Sequence, residues 1–302
     1  MIQELIYGGV LLPLARHAPR ASRALRPAFA RLAWVGHPAW RRSLRANARI
    51  LLGPDSTPAA QDRLGLEVLR QVQEVIAEVA TIDRRSVASL AADFRRLDGL
   101  QHVRPFLERK RPLILGGAHL GSFESSVAAL RRWSDVPVHV LSAQDPVRAF
   151  DRARRRARLH LGIREHRVGD GVGAWLELQR ALERGEMVAL LVDRVQPGQQ
   201  AAVRPFLGAP ALVPTGAVRL AAMSGVPIVP VFCVPEGEAR ILRFRPPLEV
   251  PAEAAAAGAA QEGALATLLA YVEEEVRAHP GRWLAVHPHW VETPFPAGAG
   301  SR

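Results

Sequence analysis

A histidine and a glutamate stand five positions apart in "GAHLGSFE", His119 and Glu124, where an apolar run ends. An imidazole takes and returns protons near neutral pH, and a carboxylate held against one ring nitrogen fixes the tautomer and frees the other as a base. Base plus orienter is sufficient when the substrate brings its own hydroxyl or amine nucleophile. On one regular helix the two side chains would diverge by roughly 140°, so this chemistry requires a turn between them. The spacing predicts Ser122 as a helix N-cap, with Glu124 in the first turn, where the helix dipole favours a carboxylate. The same residues also suit a polar strand end followed by a first-turn acid, and spacing alone leaves both readings open.

The elements that must carry this pair are readable from periodicity. "RPLILGGAH" is short and apolar enough for a buried strand, and "SFESSVAALRRW" resumes helical spacing through Phe123, Val127 and Leu130. The alternation repeats: "VPVHVLSA" as strand, "GVGAWLELQRALERG" as helix, "EMVALLVDR" as strand, "PTGAVRLAAMSG" as helix and "VPIVPVFCV" as strand. Strands alternating with helices predict an α/β fold with a mainly parallel central sheet flanked by helices. Ligands of such sheets gather outside the carboxyl ends of the strands, where His119, Asp193 and Arg194 all fall. Residues 59 to 110 read as helical, with Leu64, Val68, Val72, Val75, Ile76 and Val79 on one face. "VPAEAAAAGAAQEGA" reads as a loose connection and "PFPAGAGSR" as a frayed end.

Composition narrows the classes. The 302 residues are 48% hydrophobic and 23% charged, enough for one large core. A single cysteine, Cys233, excludes an intramolecular disulfide framework and a cysteine-rich zinc site. The net charge of +11 is carried by arginine, Lys110 being the only lysine. Such a charge suits phosphate-bearing ligands, anionic membranes or nucleic acid, and arginine-favouring codon usage would produce the same bias. Aromatic residues are 6%, with no nucleic-acid motif or base-stacking set. The apolar run from Ile6 to Leu14 is too short to span a bilayer. The segment after it mixes Arg16, Arg20, Arg23, Arg26 and Arg31 with Leu25, Phe29, Leu32 and Trp34, a composition that suits a membrane interface or a packed helical arm.

Ordered segments over about residues 40 to 290 resemble the lysophospholipid acyltransferase superfamily, in the branch of the lipid A late acyltransferases (lauroyl and myristoyl transferases) and the mycobacterial phosphatidylinositol mannoside acyltransferases. They are "RRSLRANARILLG" with Asn47, "GAHLGSFE" as the H-x-x-x-x-[DE] motif, "LQRALERGEMVALLVDR", "VRPFLGAPALVPTGAVRLAAMSGVPIVPVF" and "GRWLAVHPHW". The resemblance implies a glycerol-3-phosphate acyltransferase-like fold. It implies a bacterial enzyme moving a fatty acyl chain from an acyl carrier protein or coenzyme A thioester to a hydroxyl or amine of a lipid or glycolipid, without metal or prosthetic group. By position, His119 is the general base and Glu124 its partner; Asp193, Arg194, Arg204, Phe206, Gly208, Thr215 and Gly216 fall in the substrate-binding segments. It further implies peripheral placement on the cytoplasmic face of the inner membrane. The expected organisation is a helical, membrane-interface arm over 1–58, the acyltransferase domain over 59–295 and a flexible tail over 296–302. The chain departs from the pattern where Pro288 and His289 replace a basic pair and where Ser122-Phe123 precede the acid. These changes bear on the acceptor more than on the chemistry.

Backbone amides around Gly116, Gly117 or Gly121 are expected to serve the oxyanion of a tetrahedral intermediate, and Arg194 to hold an anion or pair with an acid. Cys233 is expected in the core, His287 and His289 not to bind metal, and Arg152, Arg154, Arg155, Arg156 and Arg158 to form a basic patch for a carrier protein or headgroup, or a solvated helix face. Two other classes compete: a hydrolase using the same His/Glu pair, and a basic nucleic-acid-binding protein. No G-x-S-x-G elbow and no H-E-x-x-H site is present.

Overall fold

The structure is a computed structural model, and it describes residues 2–237, 239–251, 257–287 and 289–291. Helices α1 (Ile2–Ile6), α2 (Leu12–His17), α3 (Pro19–Gly36) and α4 (Pro38–Leu52) come first, with a π-helical turn at Tyr7–Leu11. The chain continues through α5 (Pro58–Val79), α6 (Val87–Ala92), β1 (Phe94–Asp98), α7 (Arg104–Glu108), β2 (Leu113–Gly117), α8 (Ser126–Leu130) and β3 (Val138–Ser142). Then follow α9 (Arg148–His160), β4 (Ile163–Arg167), α10 (Val172–Glu183), β5 (Met187–Leu191), β6 (Ala201–Phe206) and β7 (Ala209–Pro214). The last elements are α11 (Gly216–Ser224), β8 (Ile228–Glu236), β9 (Ala239–Phe244) and α12 (Ala257–Ala278).

Seven strands form one sheet in the order β1-β9-β8-β2-β5-β3-β4, and β6 and β7 make a separate hairpin. Every pairing in the large sheet is parallel except β8 with β9. β2 is central and buried throughout, because helices cover both faces. Its residues alternate between two cores. Ile114 packs with Leu178 of α10, Val218 of α11 and Leu268 of α12. Leu113 and Leu115 pack with Val75 of α5, Val127 of α8 and Ala157 of α9 on the other face. A two-residue period therefore sorts one strand's side chains into two layers.

The N-terminal helices lie on α5. Trp34 sits so close over Gly65 that a Cβ there would fall 2.4 Å from its ring, and Leu44, Val68, Leu69 and Val286 complete this smaller core. Arg16 is bidentate to Asp83 at 2.7 and 3.0 Å. The arm is thus packed, yet Leu5, Ile6, Val10, Leu25, Leu32 and Val35 remain exposed on it. Among the described residues no helix is long and apolar enough to cross a membrane.

The structure differs from the sequence reading at several places. The region 59–110 is not helical throughout, since β1 lies within it. The "VPAEAAAAGAAQEGA" segment becomes helical from Ala257, opening α12, while residues 252–256 and the tail 296–302 lie outside the described residues. The helix after β2 starts only at Ser126, so Ser122 does not cap it and Glu124 precedes its first turn.

Candidate functional site

Parallel register builds the site. Gly117 of β2 pairs with Leu191 of β5, so two residues beyond each strand end the chain places His119 beside Asp193. The Val192 N–H donates to the Gly117 carbonyl at 2.9 Å, extending the pairing outward. His119 Nδ1 then lies 2.8 Å from Asp193 Oδ1, and the His119 backbone N–H donates to the same oxygen at 3.1 Å. The Trp283 indole N–H donates to Asp193 Oδ2 at 2.9 Å.

The loop after β2 is fixed from the other side by the segment preceding the C-terminal tryptophans. Leu284 N–H donates to His119 O at 2.8 Å and Gly121 N–H to Arg282 O at 3.0 Å. Gly121 has φ +57°, and a Cβ there would stand 2.7 Å from the Cys233 carbonyl oxygen, so only glycine makes this turn without displacement. Phe123 meets the His119 ring edge-on at 5.5 Å.

These contacts set the protonation state. Asp193 is an acceptor at Nδ1, so that nitrogen carries the proton. Arg194 Nη2, which can only donate, faces Nε2 at 3.4 Å, so Nε2 holds the lone pair. Burial depresses the His119 pKa, Arg194 and Arg154 push the same way, and Asp193 opposes them. The imidazole is consequently neutral at neutral pH, with Nε2 unprotonated. Burial alone would raise the Asp193 carboxyl, but the His119 imidazole and the Trp283 bond outweigh it and hold it well below the usual carboxylate range.

Glu124 does not touch His119 through a hydrogen bond. Its carboxylate is buried and takes a bidentate pair from Arg158 of α9, Nε–Oε2 at 3.0 Å and Nη2–Oε1 at 2.6 Å. Arg158 also binds Glu165 on β4. The expected orienting contact is replaced, because the turn points Glu124 inward while the sheet register supplies a nearer carboxylate. Beside this ion pair a narrow apolar cavity of ≈ 90 Å³ lies between the sheet and helices α8 and α9, lined by Leu115, Phe123, Val127, Leu130, Ile163 and Leu191. A larger open cleft of ≈ 400 Å³, lined by Gln200, Thr215, Arg219 and Glu262, includes neither His119 nor Asp193.

The family model described as bacterial lipid A biosynthesis acyltransferase matches residues 5–292. The chain belongs to that family. Membership makes an acyltransferase-type reaction the activity in general, with an acyl-donor and lipid-acceptor type of interaction. No curated protein matches the chain.

Within this family member the remaining expected site residues divide. Asp193 is fully buried behind the imidazole and Arg194 stands beside it, so both join the site, Asp193 as a partner of the histidine and not as a surface for substrate. Arg204 on β6 pairs with Glu262, Nε–Oε2 at 2.7 Å, away from His119. Phe206 is a core residue edge-on to Trp283 at 5.8 Å. Gly208, at φ +87°, turns the β6–β7 hairpin. Thr215 precedes α11, and Gly216 leaves room for Trp175, whose ring a Cβ would meet at 2.2 Å. None of these four lines the histidine, and Thr215 instead lines the open cleft. The Gly121 amide is given to Arg282, and Gly116 and Gly117 lie within the β2 ladder. Burial pushes the Cys233 thiol up to about 12, in keeping with a core residue.

Sequence assigns Trp283 no role, and Arg158, expected in a basic patch or a solvated helix face, is instead buried. Trp283 is the indole donor to Asp193, and Arg158, hidden among the basic residues of α9, holds Glu124. Asn47 accepts from the Trp290 indole at 2.8 Å and donates to Ala285 O at 2.6 Å, tying α4 to the C-terminal tryptophans. Among the described residues no three His, Cys, Asp or Glu side chains converge as a metal site.

Proposed function

We propose that the protein transfers a fatty acyl chain from an acyl carrier protein or coenzyme A thioester to a hydroxyl or amine of a lipid or glycolipid. His119 is the general base, Asp193 orients it, and Glu124 positions the loop through Arg158. The observation that carries this reading is a neutral imidazole whose Nδ1–H is held by a buried carboxylate and whose Nε2 keeps its lone pair, faced at 3.4 Å by Arg194, which the acceptor hydroxyl would displace. The acceptor hydroxyl gives its proton to Nε2 as its oxygen bonds to the thioester carbonyl carbon. The tetrahedral oxyanion then collapses, the C–S bond breaks, and the departing thiolate takes the proton back from Nε2. The thioester is activated enough that no covalent acyl-enzyme is needed. Phe123, against the His119 ring and in the wall of the apolar cavity, supports that cavity as the place for the acyl chain.

The glycerol-3-phosphate acyltransferase-like assignment, the bacterial origin and a site on the cytoplasmic face of the inner membrane belong to the same proposal. Exposed Leu5, Ile6, Val10, Leu25, Leu32 and Val35 beside exposed arginines support residues 1–58 as an arm that lies in a membrane interface. Residues 59–295 form the transferase domain in this reading. The test incubates wild type and His119→Ala with acyl carrier protein and coenzyme A thioesters and a total lipid extract, read by mass spectrometry. A lipid gaining one acyl mass with wild type alone is expected. Free fatty acid as sole product establishes a hydrolase, and an active, folded His119→Ala protein removes the mechanism.

A further inference from the structure

Three consecutive residues reach the His119–Asp193 pair from one segment. The 3₁₀ turn Pro280–Arg282 follows α12, and Trp283 bridges Leu120 in an antiparallel pair. Beside that bridge the Arg282 carbonyl accepts from the Gly121 N–H at 3.0 Å, and the Leu284 N–H donates to His119 O at 2.8 Å. The Trp283 indole donates to Asp193 at 2.9 Å. The Arg282 side chain in turn ties this segment to α5: its Nη1 donates to Gln71 Oε1 and lies 3.4 Å from Glu74 Oε2. Gln71, Glu74 and Glu78, spaced by three and four residues, share one face of that helix. Glu78 pairs with Arg240 at 2.8 Å, and Arg240 donates to Ser125 Oγ at 3.2 Å, so α5 holds the turn after β2 from both ends. Arg26 of α3 lies 3.7 Å from the same Glu74 oxygen, which leaves Glu74 shared between two arginines. Gln71 is buried with its Nε2 unpaired, and Arg282 supplies the one hydrogen bond that its side chain makes among the described residues.

We propose that Arg282 is a positioning residue for the transfer: seated on Gln71 and Glu74, its side chain sets the 282–284 segment and, through it, the alignment of His119 with Asp193. This rests on the reading of His119 as the general base. Arg282 touches no reacting atom and acts only through its neighbours. The three bonds leave consecutive residues, so a movement of the segment displaces them together. A hydrogen bond near 3 Å does not survive lengthening by about 1 Å, and a base misplaced by that much loses about a hundredfold in rate. The position is therefore unlike an ordinary half-exposed arginine, whose replacement changes little. Both contacts to α5 leave from one nitrogen, Nη1, so a lysine ammonium can take its place, which it cannot do where a guanidinium is bidentate.

The test compares full-length wild type with Arg282→Met, Arg282→Lys, Gln71→Met and Arg282→Met/Gln71→Met in acyl-transfer kinetics, thermal melts and 15N-indole NMR, the Trp283 resonance being assigned with Trp283→Phe. Arg282→Met is expected to lower kcat by about ten- to a hundredfold with KM within about twofold, and to shift the Trp283 indole resonance. Arg282→Lys should keep kcat within about threefold of wild type. In Arg282→Met/Gln71→Met the stranded amide is gone, so the melt should recover while kcat stays low. Recovery of kcat together with the melt would show a stabilising role alone and overturn the proposal, as would Arg282→Met with wild-type kcat or an unmoved indole resonance. If Arg282→Met does not fold, Gln71→Met removes the same bond from the α5 side and must show the indole shift with a smaller fall in kcat. The indole is read without turnover, so a protein that transfers no acyl chain yet shows the shift sinks the reaction and keeps the tether. Transfer that needs His119 but ignores Arg282 does the reverse.

Discussion

Asp193→Asn is isosteric, yet the structure gives it no comfortable orientation. Asp193 accepts three hydrogen bonds, from His119 N and Nδ1 on one oxygen and from the Trp283 indole on the other. With the amide NH2 toward His119, it opposes the backbone N–H and forces Nδ1 to accept, moving the ring proton to Nε2 and abolishing the base. With the NH2 toward Trp283, the tautomer survives but two buried donors face each other, at a cost of about 1–3 kcal/mol. The first orientation predicts a fall in kcat of about 10³- to 10⁴-fold, the scale set by tautomer reversal in a hydrolytic triad. Trp283→Phe removes the competing donor, so Asp193→Asn/Trp283→Phe should recover at least about tenfold over Asp193→Asn in kcat. Asp193 also raises the His119 pKa against burial, so the acid limb of kcat/KM should move to lower pH in either asparagine protein. The assay is single-turnover acyl transfer across pH 4–9. A single Asp193→Asn protein within about tenfold of wild type, with an unmoved acid limb, would refute the dyad.

Other perturbations follow from the same contacts. Glu124→Ala strands buried Arg158 with Glu165 alone and should cost about 3 kcal/mol, seen as a Tm lowered by roughly 5–10 °C; Glu124→Ala/Arg158→Met should restore much of that melt. His289, tilted against Trp283 at 4.9 Å with its Nε2 buried and unpaired, is lowered to about 4 by burial. At pH 5 the unfolded imidazole binds a proton that the folded one does not. Stability is therefore lost as pH falls from about 6.5 to about 4, by about 3 kcal/mol in all, and urea melts of His289→Phe should show a flatter decline. Arg204→Ala removes a surface pair with Glu262 and should leave transfer within about twofold of wild type.

What the sequence made legible depended on burial. β2, β3, β5 and β8 announce themselves as apolar runs because helices cover both their faces. β1 and β4 are the two edges of the sheet, and "FRRLD" and "IREHR" carry the charges that keep an exposed edge from pairing further; those charges also hid them. The alanines opening α12 read as a loose connection only because composition was weighed above alanine's helix propensity. At the site, His119 was legible and its partner was not. Spacing along the chain pointed to Glu124, whereas Asp193, 74 residues on, is delivered by the pairing of Gly117 with Leu191. The signal available was that both residues follow apolar strands by the same offset. Using it requires knowing that β2 and β5 are neighbours.

The motif's acid then needs a reason other than proton relay, and the fold supplies one. Glu124 faces inward to Arg158, and Arg158 reaches Glu165, so one cation joins the turn after β2, the helix α9 and the edge strand β4. Burying that guanidinium is tolerable only because two carboxylates share it. The outward half of the same turn presents His119, fixed by Asp193 and by Leu284. One short segment thus carries the proposed base on its outer side and its anchorage on its inner side. Loss of activity on changing Glu124 is expected whether it relays a proton or holds the turn, so activity alone does not separate the two. The pH profile does: an anchor acting through Arg158 leaves the acid limb of the residual kcat/KM where it is in wild type, while a carboxylate bonded to the imidazole shifts it. A Glu124→Gln protein, folded and slow, whose acid limb moves as far as that of Asp193→Asn would return the orienting role to Glu124.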